Sequence, residues 1–118
     1  MIPGVVVDSS GVNHGYIRAK NGTFTRFDIP AAGTAPGQGT IPNNINSSGE
    51  VVGDYIDPAG VVHAFIRTGN GKITTFDVSG AGTAAGKGTQ AHYNIDSGAI
   101  IGAYIDSNNV LHGYIRIS

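Results

Sequence analysis

The stretch Val61-Val62-His63-Ala64-Phe65-Ile66-Arg67 decides the fold, because it recurs twice elsewhere in the chain. Its counterparts are Val12-Asn13-His14-Gly15-Tyr16-Ile17-Arg18 and Val110-Leu111-His112-Gly113-Tyr114-Ile115-Arg116, each 49 residues from the next. A fixed period of this length is typical of repeat proteins, in which each unit buries apolar surface against its neighbours. The chain therefore divides as one repeat domain into residues 1–49, 50–98 and a partial third unit, 99–118.

The residues around this stretch predict short strands joined by tight turns. β-branched and aromatic residues favour strands, whereas Gly, Pro, Asn and Asp favour turns. Asn109 stands where the two equivalent turns have Gly, which predicts a left-handed residue there. Ten strands are predicted, at 2–7, 12–18, 23–29, 40–45, 50–56, 61–67, 72–78, 89–95, 99–105 and 110–117. Since no segment has helical periodicity, the fold class is all-β.

Turn lengths predict the strand register. A four-residue turn at 57–60 places Asp54 opposite His63 and Glu50 opposite Arg67. A two-residue Asn70-Gly71 turn, with both residues at positive φ, places Phe65 opposite Phe76.

Both faces of the middle unit are apolar in this register, so the unit is expected to lie between two others. The small pair Gly53 and Ala64 predicts a depression that an aromatic ring of a neighbouring unit fills. Alignment of Asn44 with Asn94 predicts that the loop after the fourth strand differs in length between repeats.

Four short antiparallel strands, apolar on both faces, describe a propeller-like blade. Dividing 118 residues by the period of 49 gives about 2.4 repeats, fewer than the 4–8 blades of a typical ring. An incomplete ring leaves apolar faces in water. The sequence therefore predicts that copies of the chain complete the ring as a homodimer or homotrimer.

The run at 49–55, Gly-Glu-Val-Val-Gly-Asp-Tyr, precedes His63-Ala64-Phe65 and the run Thr-Thr-Phe-Asp-Val at 74–78. This pattern resembles the bacterial HAF-type extracellular repeat family over nearly the whole chain, from about Ile2 to Ile117. The resemblance implies propeller-like repeats in secreted or surface proteins and transfers no catalytic residue. An extracellular location is the expectation it carries, although the chain starts at Met1 without a signal-peptide pattern.

The composition excludes several partners. A formal charge of −1 with 13% charged residues provides no basic surface for nucleic acid or an anionic membrane. The absence of cysteine excludes disulfides and thiolate chemistry. No apolar run of about 18 residues is present to span a membrane. The sequence predicts no cofactor.

The repeated histidines predict a structural role rather than a metal site. They occupy equivalent places in successive units, so they are expected to lie one unit apart from each other. That spacing is much larger than the bonds of about 2 Å that zinc forms with its ligands. We expect each imidazole to lie hydrogen-bonded beside the arginine of its own strand, and the aspartates after the third strands to accept from backbone N–H groups. These structural residues are His14, His63, His112, Arg18, Arg67, Arg116, Asp28 and Asp77.

Asp54 and His63 are weak catalytic candidates. A carboxylate beside an imidazole is the core of many acid–base sites. Because no nucleophile accompanies the pair, an ordinary cross-strand ion pair is the preferred interpretation.

The two longest loops, at 30–40 and 79–89, are rich in Gly, Ala and Thr. The second departs from a phosphate-binding loop because Gly88 follows Lys87, where Ser or Thr is required. Loops on a rigid scaffold commonly carry binding sites, and the alternative is a connector between units. Candidate ligand-binding residues are Thr34, Gln38, Thr83 and Lys87, together with His92 and Tyr93, which replace Asn43 and Asn44 of the preceding copy.

These features predict a non-enzymatic binding module that takes a carbohydrate or a protein partner. Two alternatives stay open: a lactonase-like, metal-assisted propeller hydrolase, and a purely structural repeat.

Overall fold

A computed structural model describes residues 1–117, and these residues confirm the all-β prediction with ten strands. None of them forms a helix able to cross a membrane. The strands are β1 (Ile2–Val7), β2 (Asn13–Arg18), β3 (Phe24–Phe27), β4 (Gly39–Ile45), β5 (Val51–Ile56), β6 (Val62–Arg67), β7 (Ile73–Phe76), β8 (Gly88–Asn94), β9 (Ile100–Ile105) and β10 (Leu111–Arg116).

The strands form one open mixed sheet that consists of three antiparallel groups. The first group is β1–β3, the middle group is the four-stranded meander β4–β7, and the third group is β8–β10. Successive groups are joined by single parallel residue pairs, Asn13 with Gly39 and Val62 with Gly88. Each repeat therefore contributes its last strand to the group that follows.

The hairpins of the middle group close through three-residue loops. The N–H of Gly60 donates to Asp57 O and the N–H of Asp57 donates to Val61 O, which describes a type I turn followed by a glycine bulge. Thr68 and Lys72 are linked in the same way around Gly71. Gly60 and Gly71 have φ of +83° and +94°. Asn109 has φ of +66°, which confirms the left-handed residue predicted there.

This loop length makes the predicted register wrong by one residue. Ala64, not His63, lies opposite Asp54, and Val51, not Glu50, lies opposite Arg67. Thr75, not Phe76, lies opposite Phe65. A shift of one residue moves every side chain of a strand to the other face. Asp54 and His63 consequently lie on opposite faces of the sheet.

Both faces of the middle group are nevertheless packed, as the sequence predicts. On one face Val51, Tyr55 and Phe65 pack against Ile17 and Phe27 of the first group. On the other face the buried residues Val52 and Ala64 pack against β8 and β9 of the third group, at Ala91 and Ile100. The middle group is thus enclosed between the other two.

The glycine in each central strand is covered by its own group. A Cβ on Gly53 would lie 2.9 Å from Phe65 Cε2, and one on Gly102 would lie 2.7 Å from Tyr114 Cε2. The prediction that a neighbouring unit supplies this aromatic is wrong, because the corrected register places the ring directly across the hairpin.

The loops after the fourth strands have equal lengths, so the predicted one-residue difference is also wrong. In the first loop Asn46 donates to Glu50 O, and in the second Ile95 donates to Ala99 O. β4 and β8 each contain an irregularity, between Pro42 and Asn44 and between Ala91 and Tyr93. The period of 49 residues therefore holds throughout.

Candidate functional site

Each complete repeat holds its histidine between two aspartates. His63 Nδ1 lies 2.7 Å from Asp77 Oδ1, and His63 Nε2 lies 2.7 Å from Asp57 Oδ2. The imidazole also stacks on Tyr55, with a centroid distance of 5.0 Å. The predicted neighbour Arg67 instead stacks over Phe27 of the first group, at 5.0 Å. The arrangement links three strands of one group through a single imidazole.

The other repeats preserve this arrangement in part. His14 lies 2.7 Å from both Asp8 and Asp28. His112 lies 2.8 Å from Asp106 and stacks on Tyr104.

The turn aspartate uses its second oxygen to shape the hairpin. Asp57 Oδ1 accepts hydrogen bonds from the backbone N–H groups of Ala59 and Val61, at 2.8 and 3.0 Å. One carboxylate therefore fixes both the turn and the imidazole of His63. Asp77, expected to accept from backbone N–H groups, instead accepts from that imidazole, and Asp28 does the same with His14.

Two carboxylates around one imidazole favour its charged form. A carboxylate can only accept hydrogen bonds, so both ring nitrogens of His63 must carry protons to satisfy Asp57 and Asp77. Burial lowers the pKa of His63, but the hydrogen bonds to Asp57 and Asp77 outweigh burial, so the pKa is raised above its usual value. Burial raises the pKa of Asp57, but the hydrogen bonds from His63 and from the backbone N–H groups of Val61 and Ala59 together outweigh burial, so the pKa is lowered below its usual value. While it carries both protons, the ring is a partly buried cation with no lone pair to offer a metal or a reacting proton.

The first repeat adds a competing cation. Hydrogen bonds to Asp8 and Asp28 raise the pKa of His14, whereas burial and the Arg26 guanidinium lower it. Arg26 lies 2.9 Å from His14 Nδ1. Thr75 occupies the equivalent position in the middle repeat, so His63 has no such neighbour on that strand.

A cleft lies beside His14, and an equivalent cleft lies beside His63. The first has a volume of about 220 Å³, and its lining includes His14, Asp28 and Thr34. The second has a volume of about 260 Å³, and its lining includes the equivalent residues His63, Asp77 and Thr83, together with Asp57. Valine and alanine side chains complete both walls, namely Val12 and Ala32 in the first, and Val61 and Ala81 in the second. The structure therefore brings the predicted ligand-binding residues Thr34 and Thr83 together with His14 and His63.

Gln38 and Lys87 lie apart from the lining of these clefts. Gln38 accepts from the N–H of Ala35 and donates to Pro58 O, at 3.2 and 3.3 Å. The Lys87 side chain packs against Gly82 within its own loop. Backbone hydrogen bonds tie both loops to the preceding turn and to the following strand, which is the geometry of a connector between groups.

His92 and Tyr93 lie on β8, away from the clefts. His92 Nε2 lies 3.0 Å from Gln90 Oε1. Tyr93 is exposed and borders a groove of about 270 Å³ between β4 and β8. Asn44 spans this groove and donates to Asn94 O and Asn94 Oδ1, at 3.1 and 2.7 Å. The groove is thus an asparagine-linked seam between adjacent groups.

Asp54 is buried at the junction of the middle and third groups. Its Oδ1 accepts a 2.7 Å hydrogen bond from the N–H of Ala91. Burial raises the pKa of Asp54 to about 6, although the hydrogen bonds from Ala91 and Asn43 oppose the shift. The predicted pair with His63 is wrong, which removes the geometric basis for acid–base catalysis by these two residues.

The Asp–His–Asp arrangement is the feature that sequence reasoning missed. Its signal is present, because Asp8, Asp57 and Asp106 each precede the repeated histidine by six residues. The four-residue turn predicted for this segment obscured the signal, because it placed Asp54 rather than Asp57 beside His63.

Among residues 1–117, no cluster of three or more histidine, aspartate or glutamate side chains has the arrangement of a metal site.

Comparison of the chain with protein-family models, curated proteins and solved structures finds no match.

The paired charges predict a pH dependence of stability. The raised pKa of His63 contributes stability below pH of about 6.5, and this contribution is lost as the pH rises through the folded pKa. The lowered pKa of Asp57 contributes above about 3.8 and is lost as the pH falls. We expect the midpoint of thermal unfolding of the wild type to fall as the pH rises above about 6.5, and that of His63→Gln to change less. The corresponding contribution of His63 to the free energy of unfolding should be about 1 kcal/mol or less, because solvent screens the partly exposed aspartates. Equal slopes for the two proteins would contradict this role of His63.

Proposed function

We propose that this protein is a non-enzymatic binding module whose repeated clefts each hold a polyhydroxyl ligand such as a carbohydrate. The observation that carries the proposal is the equivalence of the two clefts, which place the same imidazole, carboxylate and threonine side by side in successive repeats. The antiparallel meander is taken as a propeller-like blade, in keeping with the resemblance to HAF-type extracellular repeats.

The chemistry of the clefts suits sugar hydroxyl groups. Asp77 is about half exposed, so it can accept from a ligand hydroxyl while its Oδ1 holds His63. The Thr83 hydroxyl can donate or accept, and the Val61 and Ala81 side chains provide an apolar wall for C–H groups. Small ligand sites combine such an apolar wall with a few polar groups that orient the ligand.

The same geometry argues against a hydrolase. Both nitrogens of His63 face carboxylates at 2.7 Å, so the ring is held as a donor rather than as a base. The imidazole contributes charge and position to the cleft.

The proposal predicts the number of ligands per chain. A glycan array identifies the sugar, and isothermal titration then measures two sites in the wild type. Thr83→Val keeps the side-chain shape and removes the hydroxyl of the second cleft, so the count should fall to one or that site should weaken about tenfold. Thr34→Val should do the same for the first cleft, and the double variant should lose both sites.

Ser107→Ala is the matched control, because it removes an exposed hydroxyl from a turn outside either cleft. Unchanged binding in the double valine variant would disprove the assignment of the clefts. The absence of binding to any glycan would reject carbohydrate as the ligand.

A further inference from the structure

The three groups of strands pack against each other at two internal contacts, which we call joints. The first and third groups each expose a face of the kind that is buried in these joints. Each group has a face A, which carries its repeated histidine, and an opposite face B. Face B of the first group packs on face A of the middle group, and face B of the middle group packs on face A of the third. Face A of the first group and face B of the third have no such cover among residues 1–117.

These two faces are apolar and exposed. Face A of the first group includes Ile2, Val6 and Phe24, which are 56%, 54% and 63% exposed. Face B of the third group includes Ile101 and Ile115, at 50% and 68%. Several large, exposed apolar side chains on one face of a sheet mark an interaction surface.

The equivalent residues of the middle group show what covers such faces. Val51 corresponds to Ile2 and Val52 corresponds to Ile101, and both valines are fully buried against neighbouring groups. The occupant that matches each exposed face is therefore the opposite face of the same repeat.

An aromatic contact marks both internal joints. Phe27 of face B lies edge-on to Phe65 of face A, with centroids 5.9 Å apart, and Arg67 stacks over Phe27. One repeat later, Phe76 and Tyr114 repeat the contact at 6.3 Å, and Arg116 lies 4.8 Å from Phe76.

On the exposed face A of the first group, the aromatic neighbour of Tyr16 comes from the same face rather than from an adjoining group. Tyr16 and Arg18 lie on face A of the first group, at the positions that Phe65 and Arg67 have in the middle group. In the third group no outer strand lies beside β10 among the described residues, so that group has no counterpart of Phe27 or Phe76. Phe24 of the first group instead lies 5.5 Å from Tyr16 and 6.0 Å from Arg18, at the position that Ile73 has in the middle group.

We propose that a second copy of this chain packs head to tail on these faces, with face A of one copy against face B of the other. Phe24 then takes the place that Phe27 and Phe76 have in the internal joints. Such a contact is heterologous, because it joins two different faces of the same chain. It produces a closed ring when the rotation between successive groups brings the last face back to the first. Two copies contribute six groups, which lies within the usual range of 4–8 blades for a closed ring.

The test is the native mass by sedimentation velocity at micromolar concentration. The wild type is expected at twice the chain mass of 12.0 kDa. Phe24→Lys on face A and Ile115→Lys on face B should each give single chains, because a lysine charge would be buried in the joint. Ser107→Lys adds the same charge at an exposed turn and should keep the wild-type mass.

Mixing the two lysine variants is the decisive measurement. One joint in the mixture has both faces intact, so two-chain species should reappear. A wild type that sediments at 12.0 kDa would overturn the proposal. Unchanged mass of Phe24→Lys, or a mixture that stays as single chains, would overturn the head-to-tail arrangement. Circular dichroism checks that both variants keep the strand content of the wild type.

Discussion

Replacement of Gly88 by alanine is expected to destabilise the protein by about 3 kcal/mol or more, because backbone and packing both require glycine there. Gly88 begins β8 at the single parallel pair with Val62 that joins the middle and third groups. Its φ is +126°, and a Cβ would overlap the carbonyl oxygen of Val62. Residues other than glycine rarely adopt this backbone conformation, even where there is space for a side chain.

Gly86 supplies the matched control for this prediction. It lies two residues earlier in the same loop with φ of +80°, but a Cβ there meets no atom within 4 Å. Gly86→Ala should therefore cost only about 1 kcal/mol, the conformational part of the penalty. The free energy of unfolding from urea titration measures both values. Equal losses for the two variants would contradict the steric explanation.

Replacement of Asp54 by valine is expected to destabilise the protein by about 2 kcal/mol, because it leaves the buried N–H of Ala91 without its acceptor. The preceding repeat has Val5 at the position of Asp54 and Pro42 at the position of Ala91. Proline has no N–H group. The acceptor is thus present in the repeat where a donor needs it and absent where no donor exists.

The double variant Asp54→Val with Ala91→Pro tests this pairing. Pro42 pairs with Gly53 exactly one repeat before Ala91 pairs with Gly102, so the strand geometry accommodates proline at this position. We expect each single variant to be destabilised and the double variant to recover at least about 1 kcal/mol of the summed loss. Additive losses would show that Asp54 and Ala91 do not depend on each other.

The pH dependence provides a second measurement for Asp54. Burial raises its pKa to about 6 in the folded protein, against 3.8 for the ordinary group. The folded state then binds more protons than the unfolded state between about pH 4 and 6, so this group makes stability fall as the pH rises through that interval. Asp54→Val should remove that fall. Asp54→Asn keeps an oxygen acceptor for Ala91 without the charge, so it should remove the fall at a smaller loss of stability.

The candidate site was predictable in its residues but not in its arrangement. Thr34, Thr83, His14 and His63 are all visible in the sequence, and the structure collects them into two clefts. The pairing of Asp54 with His63 failed because it depended on a hairpin loop of four residues at 57–60. The backbone forms a three-residue loop with Gly60 as a bulge, and this one-residue difference exchanges the two faces of the sheet.

The sequence by itself determined the ten strands, the 49-residue period and the left-handed Asn109, because these follow from local preferences and from repetition. Only the tertiary structure decided which side chains meet. Face assignment depends on hydrogen bonds that close each loop, and the contact of Asp54 with Ala91 joins residues 37 positions apart through the packing of two groups. Local patterns specify where a strand lies, whereas its register and neighbours are set by contacts between residues distant along the chain.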